Sequence, residues 1–299
     1  MSILIDQQAE ILIQGITGKE GSRAAREMAQ YGTKVVAGVT PGKGGQTTEE
    51  GAPVFDTIAE AVRRFPSIKA TLITVPAPFV LDAVLEAISN NIPVIDILTE
   101  GVSVSAVATM KAYANHFNVQ IIGPSSVGIL SPGKIKIGSI GSSGLAEKLF
   151  APGPIGVISK SGGMTAEISR ILTESGLGQS TVVGIGGDML ICSDFLDIAK
   201  AFEKDPSTKA IVIFGEVGGT YEEKLAEAMK QGIITKPVVA LIAGRFSESL
   251  PQDTVLGHAG AIVSKGKGSA SGKIAALKEA GAKIAETPED IPQLLKSIL

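Results

Sequence analysis

The chain has one cysteine, Cys192, no tryptophan and two histidines among its 299 residues. A single thiol excludes an internal disulfide framework and thiolate-rich metal sites, and suits a reducing compartment. With only His116 and His258 and no cysteine cluster, an imidazole-based metal centre is disfavoured and no metal ligands are assigned. Acidic and basic residues number 30 and 27, a net charge of -3, so there is no basic field to hold a nucleic-acid backbone. No apolar run approaches the ~18 residues of a membrane helix, and the opening "MSILIDQQAEILIQG" lacks the basic-then-apolar order of a secretion signal. These absences argue against nucleic-acid and membrane partners. They point to the cytoplasm, or to the mitochondrial matrix if the chain is a mature eukaryotic form.

What is present is apolar and glycine-rich. Hydrophobic residues make up 44% of the chain and charged residues 19%, the balance of a globular protein long enough for about two cores. Short β-branched runs at 10–15, 34–39, 70–76, 93–100 and 119–124 read as buried strands, separated by helix-period stretches at 20–31, 57–65, 78–90 and 103–116. Gly, Ser and Pro break the pattern over 131–154, which reads as a linker or crossing loop. Beyond it strands are expected at 155–159, 181–186, 209–216, 236–244 and 282–287, with helices near 164–175, 193–203, 221–231, 270–280 and 288–298. This is α/β alternation in two units, 1–130 and 131–299, each an open parallel sheet.

Ligands of such sheets bind beyond the carboxyl ends of the strands, so the loops following the apolar runs hold the candidates. In "QGITGKEGSRAARE", Gly15, Gly18 and Gly21 follow a strand and open a helix, a turn whose free N–H groups suit a phosphate. The spacing is not the G-x-G-x-x-G of a dinucleotide site. The second strand also ends in "TPGKGGQ", with Lys43 where a ribose-binding carboxylate would stand in an NAD site. Lys43 suits a ligand with an additional phosphate, such as the 3′-phosphate of coenzyme A, and an NAD-dependent dehydrogenase is disfavoured. "VPAPF" at 75–79 can form a rigid wall. In "LTEG", Glu100 can accept a ligand hydrogen bond or cap the next helix.

In the second half "SKSGGMTAE" places Ser161, Gly162 and Gly163 at a helix N-terminus, either an anion site or a plain capping turn. "GIGGD" and "GEVGGT" are further glycine-rich strand ends bearing Asp188 and Glu216. The loop "VLGHAGAI" holds His258 between glycines after another strand, where an imidazole can serve as general base, metal ligand or phosphate acceptor. His116, in "ANHFN", reads as surface or structural.

Taken in order, "QGITGKEG", "GVTPGKGG", "VPAPF", "TEG", "IGP", "GIGGD", "GEVGG", "TKPVV" and "GHAGAI" resemble the α subunit of succinate–CoA ligase (succinyl-CoA synthetase) from end to end. The resemblance implies a Rossmann-like CoA-binding domain, a flavodoxin-like ligase domain and a separate ATP-grasp β subunit holding ATP or GTP and Mg²⁺, in an αβ or α₂β₂ assembly. It assigns CoA contacts to Thr17, Gly18, Lys19, Glu20, Lys43, Leu98, Thr99 and Glu100. His258 becomes the phospho-acceptor and Glu216 the carboxylate that orients it. The reaction then runs from nucleotide to phosphohistidine, to acyl phosphate, to acyl-CoA.

Two substrate loops depart from the family's usual wording. "GPSSVG" stands for "GPNCPG" and "SKSGGMTAE" for "SRSGTLTYE", so that Ala166 replaces a tyrosine. These loops, with Ser125, Ser126, Ser161, Gly162, Gly163 and Ala166 as phosphate or substrate residues, partly resemble ATP-citrate lyase and citryl-CoA synthetase. Succinate is the expected acid and a bulkier carboxylate such as citrate the alternative. A non-catalytic CoA-binding module is the alternative of another class, and the retained His258, Glu216 and glycine loops argue against it.

Overall fold

The computed structural model describes residues 3–141, 144, 146–249, 260 and 268–299. Among these, two sheets form, and in each the parallel strands gather their carboxyl ends on one edge. The first contains β1 (Glu10–Gln14), β2 (Lys34–Val39), β3 (Val54–Phe55), β4 (Ile68–Ile73), β5 (Val94–Ile97) and β6 (Gln120–Ile122), ordered β3-β2-β1-β4-β5-β6 and parallel throughout. Four helices connect them: α1 (Lys19–Gln30), α2 (Ile58–Arg64), α3 (Val80–Ser89) and α4 (Val104–Phe117). Leu12, Ile13, Leu72 and Ile95 are fully buried because helices cover both faces of the sheet, which is why these strands read as continuous apolar runs. The order reverses between β1 and β4, and a Rossmann-type sheet opens its binding crevice at such a reversal.

The second sheet is ordered β13-β12-β11-β9-β10-β7-β8. Its parallel part is β9 (Pro152–Ser159), β10 (Gln179–Gly184), β11 (Ala210–Glu216), β12 (Val238–Ala243) and β13 (Lys283–Ala285). Read from β10, this is the flavodoxin order, with the reversal between β9 and β11. The helices are α5 (Ala146–Leu149), α6 (Gly162–Glu174), α7 (Phe195–Lys204), α8 (Tyr221–Lys230), α9 (Ala270–Glu279) and α10 (Ile291–Lys296).

Both sheets are mostly parallel, as expected, and the second carries one antiparallel addition. β7 (Gly128–Ser131) and β8 (Ile135–Ile137) form an antiparallel hairpin on the edge of the second sheet, β7 pairing antiparallel with β10. A two-stranded turn needs no crossover helix, so this pair lacks the strand–helix rhythm that marks the other strands. Its turn and second strand occupy the start of the stretch that reads as a linker. The chain therefore leaves the first sheet after Ile122 and enters the second at Gly128.

The hairpin also grips the first unit. Lys136, 1% exposed, places its Nζ 3.2 Å from Glu27 Oε2 on α1. Thr33 Oγ1 donates to the Lys136 carbonyl at 2.7 Å and accepts from its N–H at 3.1 Å. Burial pulls the Lys136 ammonium below its ordinary range, against the opposing charge of Glu27. Ile11, Ile13 and Met28 share one continuous apolar cluster with Ile129, Ile137, Ile158 and Ile213, so the two sheets have a common core.

Candidate active site

At the reversal of the first sheet the chain turns from β1 into α1 through Gly15, whose φ of +81° is a left-handed conformation that glycine adopts without strain. A Cβ on Gly21 would stand 2.2 Å from the Gly15 carbonyl oxygen, so only glycine lets α1 close on this turn. Gly18 is the N-cap residue and no side chain caps α1, which leaves first-turn N–H groups available to an anion. Thr17, Gly18, Lys19 and Glu20 are all exposed there, and so is Lys43. Thr17 Oγ1 donates to Thr40 Oγ1 at 3.1 Å, tying this turn to the loop that carries Lys43. Glu20 pairs with Arg23 along the helix.

A cavity of about 430 Å³ adjoins this turn and brings together Glu20, Leu98, Thr99, Glu100, Ser125 and Ser126, against a wall of Val75 and Pro76. Thr99 Oγ1 donates to the Val75 carbonyl at 2.7 Å, which fixes the two strand-end loops to each other. Past the cis Gly123–Pro124 bond, the Ser125 and Ser126 N–H groups donate to the Thr99 and Ile97 carbonyls, each at 3.0 Å. The Ser126 hydroxyl donates to the Gly184 carbonyl at 2.8 Å and accepts from the Gly128 N–H at 2.9 Å. Ser126 is thus a strut between the end of β5 and the end of β10.

The adjoining Val127 reaches into the second unit. A Cβ on Gly162 or on Gly184 would come within 2.4 Å of its side chain. Gly162 is therefore glycine because Val127 fills the hollow, whereas a Cβ on exposed Gly163 would meet only open space. Ser161 caps α6, accepting from the Met164 N–H at 3.4 Å, and Ala166 lies half-buried one turn further along. The amides of Gly162 and Gly163, which have no partner among the described residues, follow the end of β9 at the β9–β11 reversal.

Glu216 ends β11 at that reversal and is 8% exposed. Its Oε1 lies 3.3 Å from the Nζ of Lys160, which is itself buried at the end of β9, and Lys160 stands over the Tyr221 ring, 6.0 Å from its centre. Sequence reasoning passed over Lys160. The available signal was a lysine directly following the wholly apolar β9.

His258 lies outside the described residues. Gly260, two positions on, donates its N–H to the Gly187 carbonyl at 3.1 Å, and a Cβ there would stand 2.8 Å from the Asp188 carbonyl oxygen. His116 is an exposed residue of α4, packed edge-on against Phe117 with centroids 4.7 Å apart.

Three further ionisable groups escaped the sequence. Lys273 and Glu222, both 0% exposed, pair at 2.5 Å beneath the Glu216 loop. Asp96, 1% exposed on β5, has no hydrogen-bond partner among the described residues for either carboxyl oxygen. Burial pushes its pKa up to about 7. The neighbouring Ser126 hydroxyl opposes this only in part, since its proton is already directed to Gly184.

Two glycine-turn crevices, joined through Ser126 and Val127, define a chain of the CoA-ligase class. Residues 6–101 match the family described as CoA binding domain and residues 158–283 the family described as CoA-ligase. The chain belongs to the family of succinate–CoA ligase α subunits. It is 44% identical to succinate–CoA ligase [ADP-forming] subunit alpha 2 of Archaeoglobus fulgidus over the whole of both chains. It is likewise 44% identical to the alpha subunit of that name from Aquifex aeolicus, over all of this chain and 95% of the other. Among solved structures it superposes with a TM-score of 0.92 on ATP citrate lyase from Methanothrix soehngenii in complex with citrate and coenzyme A. That match is 27% identical and spans 99% of this chain but half of the other. No helix among the described residues is long and apolar enough to cross a membrane.

Proposed function

We propose that this chain is the α subunit of a cytoplasmic, ADP-forming succinate–CoA ligase, acting with a β subunit of ATP-grasp fold. What supports this reading most directly is the Lys160–Glu216 pair at the reversal of the second sheet, with Gly260 of the histidine loop bound to the neighbouring strand-end loop. Residues 1–130 serve CoA and residues 131–299 the phosphoryl chemistry.

His258 attacks the γ-phosphorus of ATP and ADP leaves. Glu216, paired with Lys160, orients the imidazole and favours the tautomer whose free nitrogen attacks. Phosphohistidine brings about two negative charges, which the α6 amides after Ser161 offset. A succinate carboxylate oxygen then attacks that phosphorus, freeing His258 and leaving succinyl phosphate. The CoA sulfur attacks the acyl carbon and phosphate departs. Each step exchanges one activated bond for another, dividing a hard reaction into easier ones. Mg²⁺ bound to the partner neutralises nucleotide charge. In this reading Thr17, Gly18 and Lys19 amides and Lys43 hold CoA phosphates, Leu98, Thr99 and Glu100 border its acyl-bearing arm, and Ser125 faces the acid.

The test is to incubate the chain with its β partner, Mg²⁺ and γ-labelled ATP. An acid-labile, base-stable label on this chain, absent in His258→Asn, is the expected result. An unlabelled wild type overturns the phosphohistidine, and CoA binding without turnover returns the chain to a binding module. A second acid, citrate, is favoured by one observation, the open space at Gly163. CoA-dependent ATP hydrolysis with succinate, malate, citrate and acetate separates the two.

A further inference from the structure

We infer that the buried Lys273–Glu222 pair is the positioning device for Glu216, setting the place of its carboxylate by holding both polar groups of its backbone. This rests on the reading of Glu216 given above.

The Glu216 N–H donates to Glu222 Oε1 at 3.2 Å, and the Glu216 carbonyl accepts from Lys273 Nζ at 2.8 Å. Lys273 directs its two other protons to the Gly218 carbonyl at 2.6 Å and to Glu222 Oε2 at 2.5 Å. An ammonium has three protons, and all three are used. The Gly218 N–H donates to the Gly268 carbonyl at 2.8 Å, so the turn after β11 is also fastened to the lead-in of α9.

The surrounding sequence is shaped to this pair. Glu222 approaches β11 closely because residue 215 is glycine, where a Cβ would lie 2.5 Å from Glu222 Oε1. Gly218 and Gly219, at φ +91° and +62°, take the left-handed turn that brings the Gly218 carbonyl to Lys273. Glu222 stands in the first turn of α8, where the helix favours a negative charge. A pair serving only helix packing would bond between α8 and α9. Here every remaining bond ends on residues 216 and 218, the turn that bears the carboxylate.

The experiment uses the complex with the β subunit and reads the rate of His258 labelling from ATP, with KM for CoA, in Lys273→Met, Lys273→Arg, Glu222→Gln, Glu216→Gln and Glu216→Gln/Lys273→Met. Misplacing a reacting group by about 1 Å costs on the order of 10²-fold in rate, and Lys273→Met is expected to lose that much labelling while KM for CoA stays unchanged. Lys273→Arg restores part of the rate. In the Glu216→Gln background Lys273→Met has little further effect, within about twofold, because both act through one carboxylate. Losses that multiply, or labelling by Lys273→Met at the wild-type rate, overturn the inference. Should Lys273→Met not fold, Glu222→Gln decides alone, since it keeps the shape and an acceptor oxygen but removes the charge, and an unchanged rate there overturns it. A wild-type complex that takes no label overturns the underlying reading of the site, a result distinct from failure of the inference in a wild type that labels.

Discussion

Lys160 and Glu216 face one another across the β9–β11 reversal, Nζ to Oε1 at 3.3 Å, with the lysine side chain 1% and the glutamate side chain 11% exposed. Removing one partner from a buried pair costs about 3 kcal/mol, since it strands the other charge away from water. Lys160→Met is expected to lower unfolding stability by that amount in urea titration and to reduce histidine labelling. Lys160→Arg, which keeps the cation, loses less of both.

The two glycines opening α6 are expected to answer differently to a methyl group. Gly162→Ala drives a Cβ into Val127 at 2.4 Å and is predicted to cost about 1–3 kcal/mol, the range of overpacking. Val127→Ala in the same chain relieves it. Gly163→Ala meets nothing within 4 Å and leaves stability nearly unchanged. Its effect falls on KM for the acid, so comparing thermal midpoints with KM across the variants separates packing from substrate room.

CoA affinity is predicted to depend on Gly21. Alanine there would put a Cβ 2.2 Å from the Gly15 carbonyl, and the clash is with backbone, so the turn itself must open. A rise in Kd of about tenfold, equivalent to ~1.4 kcal/mol, is expected by calorimetric titration of CoA. NADH should bind neither form.

Asp96 gives a pH signature. Its folded pKa of about 7 lies above the unfolded value near ~3.9, so the folded state holds the proton more tightly. The resulting stability is fully present below the unfolded pKa. It is lost as pH rises toward 7, at up to ~1.4 kcal/mol per unit and roughly 4 kcal/mol in all. Asp96→Asn should match the wild type near pH 4 and exceed it at pH 8 in urea midpoints. Parallel curves for the two proteins would exclude Asp96 as the source.

The strand-end glycine loops were legible because each follows an apolar run long enough to be a buried strand, and topology alone brings such ends together. The β7–β8 hairpin was not, since "GILS" and "IKI" are too short for any periodic signal and their glycines resemble a linker. Lys273 and Glu222 were legible in principle. Lys273 falls on the stripe of Ala270 and Leu277, and Glu222 on that of Leu225 and Ala226, all buried positions. A charge on an apolar stripe is the mark of a buried pair, but the partner sits on another helix and no spacing announces it. Asp96 interrupts an otherwise apolar β5 in the same way. Val127 was invisible because its importance lies in two glycines distant in sequence.

The hairpin bears on how the molecule comes apart. By its backbone it belongs to one sheet, while by Lys136 and Thr33 it is clamped to the other unit, so no peptide bond can be cut that leaves both halves whole. Heat or denaturant should therefore meet a single cooperative body, and a gene split between the two sheets would yield fragments that need each other to fold.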